Sequence, residues 1–180
     1  MGYNINSLKM IISDIDGVWT DGCVYIGNEN YEMKKFNVND GAGVALLRVS
    51  GIKLALISGR KSIATELRAA ELKIEDLYNG TLNKIIPYEE LKLKYNLKDS
   101  EIAYVGDDLI DIPVMDKVAV PIATQNAVDL CKKASVHVTE KNGGEGAFRE
   151  AVEWILNEQG RLEQVILDLK NKVFEQKWTA

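Results

Sequence analysis

Along the 180 residues, short apolar runs rich in β-branched residues alternate with segments whose apolar positions recur at helical spacing. That alternation marks a parallel sheet wrapped by helices. Strands are predicted over residues 9–15, 53–57, 75–78, 102–105, 118–122 and 136–138, and helices over 43–49, 62–72, 84–95, 109–115, 126–133 and 146–158. The fold class is therefore α/β, a parallel sheet flanked by helices. Residues 23–38 break the rhythm: two short runs, CVYI and YEMKKFNV, surround GNEN, whose Gly and Asn suit a turn with positive φ. This predicts a β-hairpin inserted after the first strand. A lone two-stranded hairpin is marginal, so its open edge is expected to pair, most simply with the same hairpin of another copy. The domain is expected to span residues 1–160. Beyond it, Leu162, Val165, Ile166, Leu169 and Val173 give residues 161–180 the stripe of an amphipathic tail, packed on its own domain or on a neighbour.

Composition narrows the class. With 46% hydrophobic and 27% charged residues the chain reads as an ordinary globule, outside the ranges of disorder or collagen. A net charge of -5 and the lack of a basic tract argue against nucleic acid as a partner. No apolar stretch approaches the roughly 18 residues of a membrane span. Residues 1–12 lack the pattern of a secretory leader, and Asn6 stands where a myristoylation signal wants Ser or Thr, so a cytoplasmic location without membrane attachment is expected. Two distant cysteines, Cys23 and Cys131, and the single His137 leave zinc sites and Ser/His/Asp or Cys/His catalysis short of ligands and bases. Any catalysis must rest on carboxylates.

In open parallel sheets ligands bind beyond the carboxyl ends of the strands. The first strand runs into Asp14, Asp16 and Asp21, the second into Ser58-Gly59-Arg60, and the fourth into Asp107-Asp108 with Asp111 following; Lys84 is an isolated basic residue at a helix start. Two carboxylates about 4 Å apart repel by some 4 kcal/mol at an effective dielectric near 20, so such a cluster needs compensation. Oxygen-only ligands point to Mg²⁺, which takes a few carboxylates and accepts a phosphate oxygen. Ser58, Gly59 and Lys84 offer a hydroxyl, a backbone N–H and a positive charge, a cradle for a phosphoryl group. Phosphate, Mg²⁺ and a bare aspartate together imply phosphoryl transfer.

The segments DIDGVWTD, ISGR, the isolated lysine and GDDLID resemble, in order and strand position, the four motifs of the haloacid dehalogenase superfamily. The resemblance implies a Rossmann-like fold with Asp14 as the nucleophile that forms an aspartyl-phosphate. It makes Asp16 the acid that protonates the leaving alkoxide and then the base that activates water. Ser58 and Lys84 would bind phosphoryl oxygens. Mg²⁺ would be held by Asp14, the Asp16 carbonyl and Asp107, supported by Asp108 or Asp111.

The intervals between motifs hold only the hairpin and one helix-strand unit, so no cap domain fits. DGVWTDG, FNVNDG, SGR and GGEGAFRE are similar to the capless tetrameric phosphatases of 3-deoxy-D-manno-octulosonate 8-phosphate and related nine-carbon keto-sugar acids. The resemblance implies Mg²⁺-dependent hydrolysis of a sugar-acid phosphate during synthesis of the lipopolysaccharide inner core, in a homotetramer whose hairpins wall the neighbouring sites. Arg60 matches the octulosonate branch and could pair with the substrate carboxylate. Asn39, where that branch usually has Arg, and Trp19, where many members have Leu, depart from it. A nine-carbon substrate and an inactive oligomerisation subunit are the alternatives. A signalling receiver domain does not fit, since the third strand ends in Leu77-Tyr78-Asn79-Gly80 without a carboxylate.

Overall fold

The computed structural model describes residues 4–28 and 31–175. Strands β1 (Met10–Ser13), β4 (Lys53–Ser58), β5 (Asp76–Asn79), β6 (Ile102–Gly106), β7 (Val120–Ala123) and β8 (His137–Val138) form one parallel sheet, while β2 (Tyr25–Ile26) and β3 (Glu32–Met33) form the antiparallel hairpin. The helices are α1 (Val38–Ser50), α2 (Ile63–Glu71), α3 (Ile85–Tyr95), α4 (Ile112–Met115), α5 (Asp129–Ala134), α6 (Ala147–Glu158) and α7 (Leu162–Phe174). Every residue of β1, β6 and β7 is buried, which is why these strands read as unbroken apolar runs. The sheet order β5-β4-β1-β6-β7-β8 reverses direction between β1 and β6. Their carboxyl ends therefore open a crevice, and the motif carboxylates follow those two strands.

The core lies on both faces of the sheet. One side packs Leu47, Trp19, Phe148, Val152 and Ile155 against Ile11 and Val105; the other packs Tyr88, Leu91, Val114 and Cys131 against Ile12 and Tyr104. Helix α7 joins the first side through buried Val165 and half-buried Leu162, Ile166 and Leu169, whereas Val173 and Phe174 are exposed. No helix among the described residues is long and apolar enough to cross a membrane.

Several boundaries differ from the sequence reading, and the first helix starts at Val38 where the pattern predicts 43. The hairpin's second run does not reach Val38, because Asn37 accepts the N–H of Asn39 and starts α1 there. Gly27 does not take positive φ; the turn closes through Gly27 N–H to the Tyr31 carbonyl at 2.7 Å, and Asn30 lies outside the described residues. Helices α4 and α5 start three residues late. Asp111 bends back to accept amides of the preceding turn, and Asn126 is committed to the loop after β1.

The first turn of α6 is capped from another element. Gly146 stands at the N-cap with φ 96° and has no side chain to offer, so Asp40 of α1 accepts the Arg149 N–H at 3.0 Å. Burial pushes the Asp40 carboxyl up to about 6 from its ordinary 3.8, against the Arg149 amide, Arg68 and Lys141, and its Oδ2 has no hydrogen-bond partner. The folded pKa lies above the unfolded one, so the stabilisation is complete below about pH 4 and is lost as pH rises through about 6. Asp40→Asn keeps one acceptor and cannot ionise. Its thermal stability relative to wild type should improve between pH 4 and pH 7.5 by up to about 3 kcal/mol. Melting curves in which the gap stays constant with pH would refute this account.

Candidate active site

The turn after β1 is wound tightly: the amides of Val18, Trp19 and Thr20 all converge on the Ile15 carbonyl, at 3.2, 2.9 and 3.2 Å. Gly17, at φ 89°, lets the turn pass beside β6, since a Cβ there would lie 1.9 Å from Asp107 Oδ2. The loop after β7, at the same carboxyl end of the sheet, clamps this turn. Thr124 Oγ1 and Asn126 Nδ2 donate to the Gly17 carbonyl at 3.3 and 3.0 Å, and Gly143 N–H donates to Asn126 Oδ1 at 2.6 Å. Gly143 and Gly144 lie flat on residues 17–21, where a Cβ on Gly143 would meet the Gly17 carbonyl oxygen at 1.9 Å. Trp19 is core: its ring stacks on Phe148 at 4.2 Å and its Nε1 donates to Ser13 Oγ at 3.0 Å.

This scaffold brings Asp14, Asp107 and Asp111 together, with one carboxylate oxygen of each within 4.8 Å of the others. Asp14 is buried, and its Oδ1 lies 2.7 Å from Lys84 Nζ. Lys84, itself buried, also meets Asp111 Oδ1 at 2.6 Å. Asp111 has every lone pair engaged: Oδ1 accepts from Lys84 and from Tyr104 OH at 2.6 Å, and Oδ2 accepts the amides of Asp107 and Asp108 at 2.9 and 3.1 Å. Burial raises the Asp14 pKa, and the Asp111 charge adds to it against the pull of Lys84. Burial and the charges of Asp14 and Asp111 raise that of Asp107. Burial alone would lower Lys84, but the two carboxylates outweigh it and keep the ammonium charged. One cation therefore faces three carboxyls: Asp14 Oδ1 has only the Lys84 ammonium beside it, and Asp107 Oδ1 is buried without a hydrogen-bond partner.

A cleft of 610 Å³ opens over this cluster, lined among others by Asp14, Asp16, Gly59, Arg60, Asp107 and Asp108. Ser58 is buried beneath it, its Oγ 3.3 Å from Asp16 Oδ2 and 2.9 Å from the Arg60 carbonyl oxygen. Gly59 keeps the floor open: a Cβ there would meet Ile110 Cδ1 at 2.9 Å. The side chain of Asp108 stays outside the acidic cluster, exposed and accepting the Leu109 N–H at 2.7 Å. Arg60 reaches the hairpin, where its guanidinium pairs with Glu32 at 2.5 Å. Arg68 lies along the α2 face, bonded to Glu71 and to the Asn37 carbonyl. His137 stacks on Trp154 at 4.2 Å, away from the cleft.

Five participants escaped the sequence reading: Glu32, Lys34, Tyr104, Thr124 and Asn126. Thr124 and Asn126 follow β7, and the same rule of inspecting residues beyond strand ends would have found them. Glu32 and Lys34 stand two apart in the hairpin run, the spacing of one strand face. Tyr104, inside an apolar strand, carries no sequence signal of its role.

A family model of haloacid dehalogenase-like hydrolases matches residues 60–150. The 3-deoxy-D-manno-octulosonate 8-phosphate phosphatase KdsC of Escherichia coli strain K12 is 42% identical over 158 residues, covering 88% of this chain and 84% of that protein. The crystal structure of the same phosphatase from Yersinia pestis superposes with a TM-score of 0.85 at 41% identity, covering 88% of this chain and 86% of that one. The Moraxella catarrhalis phosphatase, solved in complex with magnesium ion, phosphate ion and KDO, gives 0.87 at 35% identity over 91% of this chain and 94% of that one. With the four motifs gathered at one sheet crevice and this similarity running along most of its length, the chain belongs to the haloacid dehalogenase-like hydrolases, in the capless 3-deoxy-D-manno-octulosonate 8-phosphate phosphatase family.

Proposed function

We propose that the chain is a Mg²⁺-dependent phosphatase of 2-keto-3-deoxy sugar acid phosphates, with 3-deoxy-D-manno-octulosonate 8-phosphate as its substrate. The observation that carries the chemistry is the excess of buried carboxylate oxygens at the floor of the cleft, where Asp14 Oδ1 has only the Lys84 ammonium beside it and Asp107 Oδ1 has no hydrogen-bond partner, with Ser58 buried beneath. This donor set fits a hard divalent cation: oxygen ligands only, an excess of negative charge, and open space above for a phosphate oxygen. Asp14, the Asp16 carbonyl and Asp107 would hold the ion. Asp111, saturated by four donors, would instead fix Lys84 and the amides of Asp107 and Asp108. When bound, magnesium neutralises the carboxylates and polarises the phosphoryl oxygens.

The remaining work falls to the chain. An Asp14 carboxylate oxygen attacks phosphorus as the bond to the sugar oxygen breaks, and Asp16 gives its proton to that leaving oxygen. Asp16, now ionised, takes a proton from water, whose oxygen attacks the aspartyl-phosphate, frees Asp14 and releases inorganic phosphate. Ser58 and Lys84 hold phosphoryl oxygens in line throughout, which supplies positioning and charge stabilisation.

The same reading places the protein in a cytoplasmic step toward the lipopolysaccharide inner core and in a homotetramer built through the hairpin. Val24, Tyr25, Ile26, Tyr31 and Met33 are exposed on that hairpin, a cluster of apolar side chains of the kind that marks an interaction surface. A second copy seated there would wall the open cleft. The test is a steady-state panel of eight- and nine-carbon keto-sugar acid phosphates, hexose phosphates and 4-nitrophenyl phosphate, with Mg²⁺ and with chelator. The octulosonate ester should lead and activity should vanish on chelation; a preference for hexoses would reject the substrate, and no turnover of any ester would leave only an inactive subunit. In the same panel Arg60→Ala should raise KM for the sugar acid about tenfold while barely moving that for 4-nitrophenyl phosphate, the loss of roughly one charge-assisted contact. Equal effects on both would remove Arg60 from carboxylate recognition.

A further inference from the structure

Residues 31–36 alternate strictly: Tyr31, Met33 and Lys35 are exposed, while Glu32, Lys34 and Phe36 turn inward. Phe36 packs on the core, as an inward residue of a strand should. Glu32 and Lys34 are charged, and they turn toward the cleft residues rather than toward water. The Lys34 side chain is only 1% exposed. Burying an ammonium costs several kcal/mol unless it is paired and hydrogen-bonded. Its partners are Asp16 Oδ1, 2.6 Å from Nζ, and Thr65 Oγ1, which accepts at 3.2 Å.

The consequence falls on Asp16, whose side chain is 29% exposed at the cleft and would otherwise be free to rotate about χ1. Lys34 occupies Oδ1. Oδ2 faces Ser58 Oγ at 3.3 Å, a long contact for a hydroxyl that has the Arg60 carbonyl at 2.9 Å as its other acceptor. Oδ2 is thus the oxygen left to carry a proton toward the cleft. Proton transfer to a leaving group requires the acid within hydrogen-bond reach, and a displacement of about 1 Å can cost 10²-fold.

We propose that Lys34 is a positioning residue for phosphoryl transfer: from the hairpin, its ammonium pins one oxygen of Asp16 so that the other delivers its proton to the departing oxygen of the ester. The inference rests on the phosphatase reading above. In the step it serves, the Asp16 Oδ2–H bond breaks and an O–H bond forms on the leaving oxygen while its bond to phosphorus breaks.

The test is the dependence of kcat/KM on leaving group across aryl phosphates from 4-nitrophenyl to phenyl phosphate, none of which carries a carboxylate. kcat/KM reports the steps through transfer to Asp14, and a good leaving group needs no acid. Lys34→Met should lose about tenfold or more on phenyl phosphate relative to its loss on 4-nitrophenyl phosphate, and Lys34→Arg should restore most of the difference. Thr65→Val, which removes the second anchor of the ammonium, should steepen the dependence in the same direction by less. Equal loss on both esters in a variant that still unfolds cooperatively, or no loss on either, would overturn the proposal. A wild-type protein that hydrolyses neither ester would instead bring down the phosphatase reading, and this inference with it.

Discussion

Asp14→Asn should yield a folded protein with turnover reduced by roughly 10³-fold or more, the scale on which removal of a nucleophile is felt. The structure adds a second expectation, of opposite sign for stability. Asp14 is a desolvated carboxyl crowded by Asp107 and Asp111, and burial and the Asp111 charge disfavour its ionised form. The neutral amide removes that repulsion, so without metal the variant should melt at or above wild type. Added Mg²⁺ should then raise the melting temperature of wild type by mass action and have little effect on the variant. Steady-state kinetics and thermal melts with and without Mg²⁺ check both halves. Near-normal turnover would reject Asp14 as nucleophile, and equal Mg²⁺ shifts would remove it from the metal site.

Lys84→Met should be the most damaging substitution to the fold. It removes the ammonium between Asp14 and Asp111 and leaves buried carboxyls with no cation. Breaking a buried pair in this way costs about 3–5 kcal/mol, which for a chain of this size means a melting temperature lower by roughly 10 °C. The deficit should depend on pH. The folded pKa values of Asp14 and Asp107 are raised above their unfolded ones, so protonation favours the fold, and the loss should be largest at neutral pH and shrink toward pH 5. Mg²⁺ should recover part of it. A variant as stable as wild type at pH 7.5 without metal would mean that the cluster does not need Lys84.

The sheet and its helices were legible because the chain obeys period rules wherever both faces of a strand are buried: β1, β6 and β7 contain almost nothing but apolar residues. The motif carboxylates were legible for a different reason, since the residues after a parallel strand must face the crevice. The sequence could not separate the two supporting carboxyls, Asp108 and Asp111, from each other. They look alike in the string, yet one is exposed and the other is saturated by Lys84, Tyr104 and two amides. Those differences arise from contacts with β6 and α3, which no local pattern encodes. Lys34 was hidden likewise: a lysine in a surface hairpin reads as a solvated charge until the ribbon folds back over α2. Asp40 read as one residue of a motif, and only the approach of α6 makes it a cap.

The clamp around residues 17–21 has a bearing on how such a protein can change. Thr124, Asn126 and the flat pair Gly143-Gly144 grip that turn from beyond β7, and Gly17 has no room for a side chain. The loop that carries Asp14 thus belongs, mechanically, to the rigid interior, and transplanting it without its distant supports would carry the letters and lose the shape. Drift in preference for one ester over another is cheapest where the walls are exposed, at the hairpin and at Leu82 and Ile110 along the rim. Evolution and protein engineers face the same division of labour here, a hydrolytic centre that tolerates almost no editing beneath a vestibule that can be rewritten.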